Sequence, residues 1–208
     1  MRNPLYALAA IALLGACSST PDAKEGKSPE ASMLGLEVRG DAEVEKYDLN
    51  GDGKADDWRY YVRSGDKDAP KDQRPRLLAR QDLDLNFDGV PDVRRHFNEQ
   101  GTVVREEMDL DFDGKFDAID YYSDGSLFRR DLALNFAGSP SIIKFYNEAK
   151  LARKERDTNG DGKMDTIEYY EGGKLVRIGE DRDGDGKPDV YTEVNQDTPA
   201  PEPGAGGG

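Results

Sequence analysis

Five short stretches of this sequence set oxygen-bearing side chains at alternate positions around glycines: 48–56, 84–92, 109–117, 157–165 and 181–189. Position 1 is Asp48, Asp84, Asp109, Asp157 or Asp181, and position 3 is Asn50, Asn86, Asp111, Asn159 or Asp183. Position 5 is Asp52, Asp88, Asp113, Asp161 or Asp185, and position 9 is Asp56, Asp92, Asp117, Asp165 or Asp189. A hard cation takes oxygens at this spacing, with Gly at position 6 for the sharp turn. It also takes a backbone carbonyl at position 7, here from Lys54, Val90, Lys115, Lys163 and Lys187. The chemistry on offer is cation binding. With oxygen donors alone, the candidates are calcium, magnesium and manganese; the number and flexibility of ligands favour calcium, at about five sites.

Charge supports that reading. Unit charges about 4 Å apart repel by roughly 1 kcal/mol in water, and by more where solvent is partly excluded, so converging carboxylates call for a cation. Asp-Gly and Asn-Gly are also ordinary turn signals, so acidic turns are the plain alternative. A degenerate repeat separates the two. The segment 131–142 matches 82–93 in its apolar frame, in Asn135, Gly138 and Pro140, yet carries Ala133, Ala137 and Ser141 where the other has Asp. A turn that survives without the acids suggests that elsewhere they serve something more.

The elements that position these loops recur with them. Loop starts at 48, 84, 109, 133, 157 and 181 give spacings of 36, 25, 24, 24 and 24, the mark of a repeat array. The long first spacing contains 64–75, rich in Asp, Lys and Pro, which reads as a longer hairpin loop. Behind the first five loops come Tyr60-Tyr61, His96-Phe97, Tyr121-Tyr122, Phe145-Tyr146 and Tyr169-Tyr170. Their alternation with apolar neighbours predicts a strand with one buried face, one aromatic of each pair in the core and the other covering the sheet. A Gly-bearing turn follows, as in Asp124-Gly125 and Gly172-Gly173. A second strand then carries Leu78 and Arg80, Val103 and Arg105, Leu127 and Arg129, Leu151 and Arg153, Leu175 and Arg177. Asp82, Glu107, Asp131 and Glu155, two residues beyond four of the arginines, are the expected partners, with the loops as the other option. A ligand-binding basic stripe is the sharper alternative.

The chain has 208 residues, 36% hydrophobic, with a formal charge of −14. That balance suits an elongated array better than a globule and disfavours nucleic acid and anionic surfaces as partners. One Cys and one His leave no disulfide and no parts for a Cys/His zinc site or a Cys-His or Ser-His pair. His96 reads as an aromatic substitute on a strand. Five near-identical acidic loops are a pattern of structural sites, so no enzyme is expected.

Residues 1–16 join Arg2 to an apolar run and then Leu14-Gly15-Ala16 before Cys17, too short a run to span a membrane and shaped like an export signal. This ending resembles the lipobox of bacterial lipoproteins. The resemblance implies a diacylglycerol on the Cys17 thiol and anchorage in the cell envelope, with Ser18 pointing to the outer rather than the inner membrane. Residues 17–33 have tether composition, residues 34–194 hold the repeat array, and 195–208 form a Pro/Gly-rich tail of disordered composition.

The five acidic stretches resemble the DxDxDG calcium loops of EF-hands, dockerins and thrombospondin type 3 repeats. The bidentate Glu that EF-hands place at position 12 is matched by Glu168 and by Asp120, while Arg59, Arg95 and Thr192 stand there in the other loops. The segments that follow read as strands, so the resemblance implies the loop without the helix–loop–helix fold. The aromatic hairpins, such as 121–127 and 169–175, resemble choline- or glucan-binding cell-wall repeats and MORN-type repeats. Together these readings predict an all-β array of about six hairpins, in an extended antiparallel sheet or a solenoid, with calcium loops between hairpins. The expected role is a calcium-binding, lipid-anchored envelope protein serving structure, adhesion or assembly, with an envelope protein or polysaccharide as partner. The alternative is a carbohydrate-binding module using Trp58 and the tyrosine pairs.

Overall fold

The computed structural model describes residues 31–133 and 139–194. The expected signal segment, Cys17, all but the last residues of the tether, the C-terminal tail and residues 134–138 of the fourth loop lie outside them. The chain is a single antiparallel sheet whose spatial order is its sequence order. Its strands are β1 (Ser32–Arg39), β2 (Ala42–Asp48), β3 (Asp57–Arg63), β4 (Arg76–Leu83), β5 (Val93–Phe97), β6 (Val103–Met108) and β7 (Ala118–Ser123). They continue with β8 (Ser126–Leu132), β9 (Ile142–Asn147), β10 (Lys150–Arg156), β11 (Thr166–Glu171), β12 (Lys174–Glu180) and β13 (Val190–Glu193). β1 starts two residues before the expected boundary at 34. Among the described residues, six hairpins and a closing strand make the sheet, and the five acidic loops fall along one of its edges, the hairpin turns along the other.

The expectation of one buried face is corrected. Among the described residues no second layer packs on the sheet, and the buried apolar side chains are Val93, Ala118 and Ile167, against fifteen buried polar or charged ones. Each aromatic pair straddles the sheet because consecutive strand residues point to opposite faces. Tyr60 pairs with Arg80 and Tyr61 with Leu78; Tyr121 pairs with Arg129 and Tyr122 with Leu127. Neither member is a core residue; all ten are half-buried.

A bulge at the same place in five hairpins makes this pairing possible. The register slips between Tyr60 and Tyr61, His96 and Phe97, Tyr121 and Tyr122, Leu151 and Arg153, and Tyr169 and Tyr170. The extra residue, such as Phe128 or Ala152, turns Leu and Arg, two apart in sequence, to opposite faces. One face therefore carries a row running Tyr60, Arg80, His96, Arg105, Tyr121, Arg129, Phe145, Arg153, Tyr169 and Arg177. Guanidinium groups lie over the rings along it, Arg80 on Tyr60 at 3.7 Å and Arg153 on Phe145 at 4.2 Å. The expected acid partners are there too: Arg80–Asp82 at 3.2 Å, Arg105–Glu107 at 2.6 Å, Arg129–Asp131 at 2.6 Å and Arg153–Glu155 at 3.0 Å. Arg177 has Gly179 in place of an acid and lies between Tyr169 and Tyr191 instead, 4.7 Å from each ring. His96 sits in the row as an aromatic member, and burial pushes its pKa below the ordinary value. The opposite face pairs aromatic with aliphatic residues, Tyr146 with Leu151 and Tyr170 with Leu175.

The insertion at 64–75 is the hairpin loop expected, and it is tied down rather than free. Arg74 holds Asp41 through two bonds of 2.9 and 2.6 Å, and Lys71 donates to the Gly40 carbonyl at 2.8 Å. Below it, Glu43 accepts from Arg63 at 3.0 Å and Arg76 at 2.7 Å, and these bonds pull its pKa from 4.5 down to about 2. A depressed carboxylate stabilises the fold fully above its unfolded pKa and loses that contribution as pH falls toward the folded one. Thermal melts should therefore drop between pH 4.5 and pH 2, and Glu43→Gln should shrink that drop. An unchanged pH slope in the variant would show that Glu43 is not the titrating group.

Candidate metal centre

The five acidic loops share one hydrogen-bonding scheme, set by their carboxylates. In loop 84–92, Asp84 Oδ1 accepts the Phe87 N–H at 2.7 Å and its Oδ2 the Gly89 N–H at 2.7 Å. Asp92 Oδ2 reaches back to the N–H groups of Leu85 and Asn86, at 2.6 and 3.2 Å. Between them, Asn86 Oδ1 accepts from Asp88 N–H and Asp88 Oδ1 from Val90 N–H. Position 1 repeats its pair of bonds in Asp48, Asp109, Asp157 and Asp181. Position 9 repeats the bond from the position-2 N–H in Asp56, Asp117, Asp165 and Asp189. Position-7 residues Lys54, Val90, Lys115, Lys163 and Lys187 each donate their N–H to the position-5 carboxylate.

These bonds give the acids a part in the turn as well as in any cation site. They satisfy amides that the turn leaves without strand partners. Asp48 and Asp181 are desolvated, which raises a carboxyl's pKa, yet the amides of Gly53 and Gly51, and of Gly186 and Gly184, outweigh this and hold both below the usual range. Adjacent loops are also stitched together. The N–H of position 1 donates to the position-9 carbonyl of the loop before: Asp84 to Asp56 at 2.8 Å, Asp109 to Asp92 at 2.7 Å, Asp181 to Asp165 at 2.9 Å. The degenerate fourth loop keeps both backbone closures, Ala133 to Asp117 at 2.7 Å and Ser141 to Leu132 at 2.8 Å. Backbone stitching thus survives without the acids, which explains how that repeat persists.

A carboxylate offers about four lone-pair sites, so the amide bonds leave room for a cation on the same oxygens. Two Asp clusters could hold a metal ion. Ligand atoms of Asp109, Asp111 and Asp117 lie within 4.8 Å of one another, as do those of Asp181, Asp183 and Asp185. These are the two loops with Asp rather than Asn at position 3. In loops 84–92 and 157–165 the Asn amide instead donates to the position-5 carboxylate, Asn86 to Asp88 at 3.0 Å and Asn159 to Asp161 at 3.3 Å. An Asp has no such proton to give. Asp111 accordingly has its pKa raised, by desolvation first and then by the charges of Asp117, Asp113 and Asp109. Lys115 partly offsets this, donating to Asp113 at 2.9 Å.

The two position-12 acids are placed elsewhere. Asp120 is gripped by Arg130, with a bond of 2.6 Å, and Glu168 accepts from Lys154 at 2.8 Å and Arg156 at 2.9 Å on the strand face. Neither belongs to a loop cluster. The strand that follows each loop carries position 12 away from it, as the strand-like reading of these segments implied.

No family model matches the chain, and no curated protein matches it. Among solved structures, part of the chain is similar to a chain of the structure described as "Crystal structure of GtfA/B complex", at 18% identity and a TM-score of 0.37. The match covers 49% of this chain and 19% of that one, and carries no argument about function. Among the described residues, no helix is long and apolar enough to cross a membrane.

Proposed function

We propose that this protein is a calcium-stabilised, lipid-anchored protein of the cell envelope, non-catalytic, acting as a spacer, adhesin or part of a surface assembly. The observation that supports it best is the row of acidic loops along one sheet edge, with three carboxylates converging in 109–117 and again in 181–189. Calcium suits flexible all-oxygen loops, and modules outside the cytoplasm bind it at about 10⁻⁴ to 10⁻³ M, enough for a structural clip where the ion is plentiful. Asp48, Asp84, Asp109, Asp157 and Asp181 with their position-3, position-5 and position-9 partners would hold it, adding positive charge where the chain has an excess of carboxylates. The carbohydrate reading has less behind it. Arg76 lies 3.4 Å over Tyr61 and Arg80 3.7 Å over Tyr60, covering ring faces that a sugar would need.

Calorimetric titration of the chelated protein tests the metal. About five calcium ions should bind, the two in loops 109–117 and 181–189 more tightly than the rest, and Asp111→Asn with Asp183→Asn should merge the two classes. Failure to bind at millimolar calcium would end the metal reading. The anchor is tested separately, by the mass of the mature N-terminus and by envelope fractionation of Cys17→Ser.

A further inference from the structure

Of the six loops, the five acidic ones share their carboxylate pattern but differ at position 4. At position 4, the first, fifth and sixth have Gly51, Gly160 and Gly184, with φ of 85, 80 and 72°. The second and third have Phe87 and Phe112 at φ 65 and 64°, the left-handed region that a bulky side chain rarely takes. The strain is kept in two neighbouring loops where glycine demonstrably serves in others. Nor do the rings gain burial by it: Phe87 is 42% and Phe112 49% exposed, flanked at position 2 by Leu85 at 52% and Leu110 at 54%. The sequence places the same pair, Leu134 and Phe136, in the fourth loop, outside the described residues. The sheet thus presents an apolar crest beside its acidic loops.

The topology says what lies next to that crest. Ser32, where β1 begins, pairs with Asp48, so the N-terminal segment joins the sheet at the loop edge. β13 runs the other way, from Val190 beside the last loop to Glu193, so the C-terminal segment leaves from the opposite edge. From Cys17 to Ser32 the chain can reach about 50 Å at full extension. The second and third loops stand only about 15 to 30 Å across the sheet from β1, at the usual strand spacing.

We propose that the loop edge docks on a phosphate-bearing lipid surface, with Leu85, Phe87, Leu110 and Phe112 entering the interface and divalent cations bridging the acidic loops to headgroup phosphates. This rests on the reading of Cys17 as the lipid-anchored end. Without a cation the same loops repel those phosphates, so docking is switched on by calcium. The hairpin turns and the end of β13 then face away from the membrane, free for a partner.

The test uses residues 18–208, which keep every strand of the sheet but no anchor, floated with phosphatidylethanolamine/phosphatidylglycerol vesicles in millimolar calcium or in chelator. The fragment should float with calcium and not in chelator. Phe87→Gly with Phe112→Gly should weaken flotation about a hundredfold, roughly tenfold for each ring removed from the interface. Glycine is the residue the other loops use at this φ, so the variant keeps the fold, and it should bind calcium as the parent does. Calcium uptake without flotation, or undiminished flotation of the glycine variant, overturns the inference and leaves the metal reading standing. Phenylalanine-dependent flotation that persists in chelator supports the crest and sinks its calcium switch. A phenylalanine-dependent dimer without vesicle binding would assign the crest to a second copy and overturn docking.

Discussion

Asp84→Ala should destabilise the sheet by about 2 to 4 kcal/mol in chelator, while Asp88→Ala, four residues on in the same loop, should cost less than about 1 kcal/mol. Asp84 is 1% exposed, and each of its oxygens accepts one backbone N–H, from Phe87 and Gly89 at 2.7 Å. Hydrogen bonds to a charged acceptor contribute about 1.5 to 3 kcal/mol each, reduced here because the loop's amides lie near water. Asp88 is exposed, and its Oδ1 closes a single two-residue turn onto Val90. Urea midpoints of the two variants decide the matter. Equal losses would mean that position 1 does not organise the loop through its amides. Working in chelator matters, because with a cation bound both residues would act as ligands and the contrast would blur.

The same comparison explains how much of the molecule could be read in advance. Period, loop boundaries, strand pairs and Arg–acid partners follow from local chemistry: Gly where φ is positive, alternation along a strand, charges two residues apart on one face. Arg129 and Asp131 needed only that last rule, and they meet at 2.6 Å. The faces were not legible, because the bulge is a pairing event between two strands rather than a property of either. Leu127 and Arg129 look like same-face neighbours until Phe128 is left without a partner. The single layer was hidden for a related reason. Alternating aromatic and charged residues are consistent with one buried face, and only the meander order, with no strand returning to cover another, leaves both faces half-wet. In the loops the clustering of acids was legible and their turn-forming bonds less so, since their amide partners are fixed by backbone geometry that spacing does not encode.

On the proposed metal reading, a sheet with so little apolar burial draws much of its stability from cations along its edge. Its charged rows on both faces are partly exposed, and such pairs contribute modestly. Its loop edge gathers the acids of five loops, whose mutual repulsion is relieved only in part by amides, by Asn side chains and by Lys115. The largest expected effect on the molecule is therefore from calcium. A site of about 10⁻⁴ M affinity in about 5 mM calcium stabilises the folded state by about 2 kcal/mol, so five sites contribute on the order of 10 kcal/mol. For a domain of this size each kcal/mol shifts the melting temperature by about 2 to 4 °C, so chelation should lower it by on the order of 20 °C or more. Because repeats couple mainly to their neighbours, melting in chelator should also broaden. Sodium chloride at matched ionic strength is the necessary control, since screening alone relieves some of the repulsion in a chain of formal charge −14. Magnesium should give a smaller rise, as it surrenders its water shell reluctantly to flexible loops. A rise that salt or magnesium reproduces in full would reduce the loops to acidic turns with a screening requirement. A rise particular to calcium, diminished stepwise by Asp109→Ala and Asp181→Ala, would establish them as clips that hold an otherwise coreless sheet together.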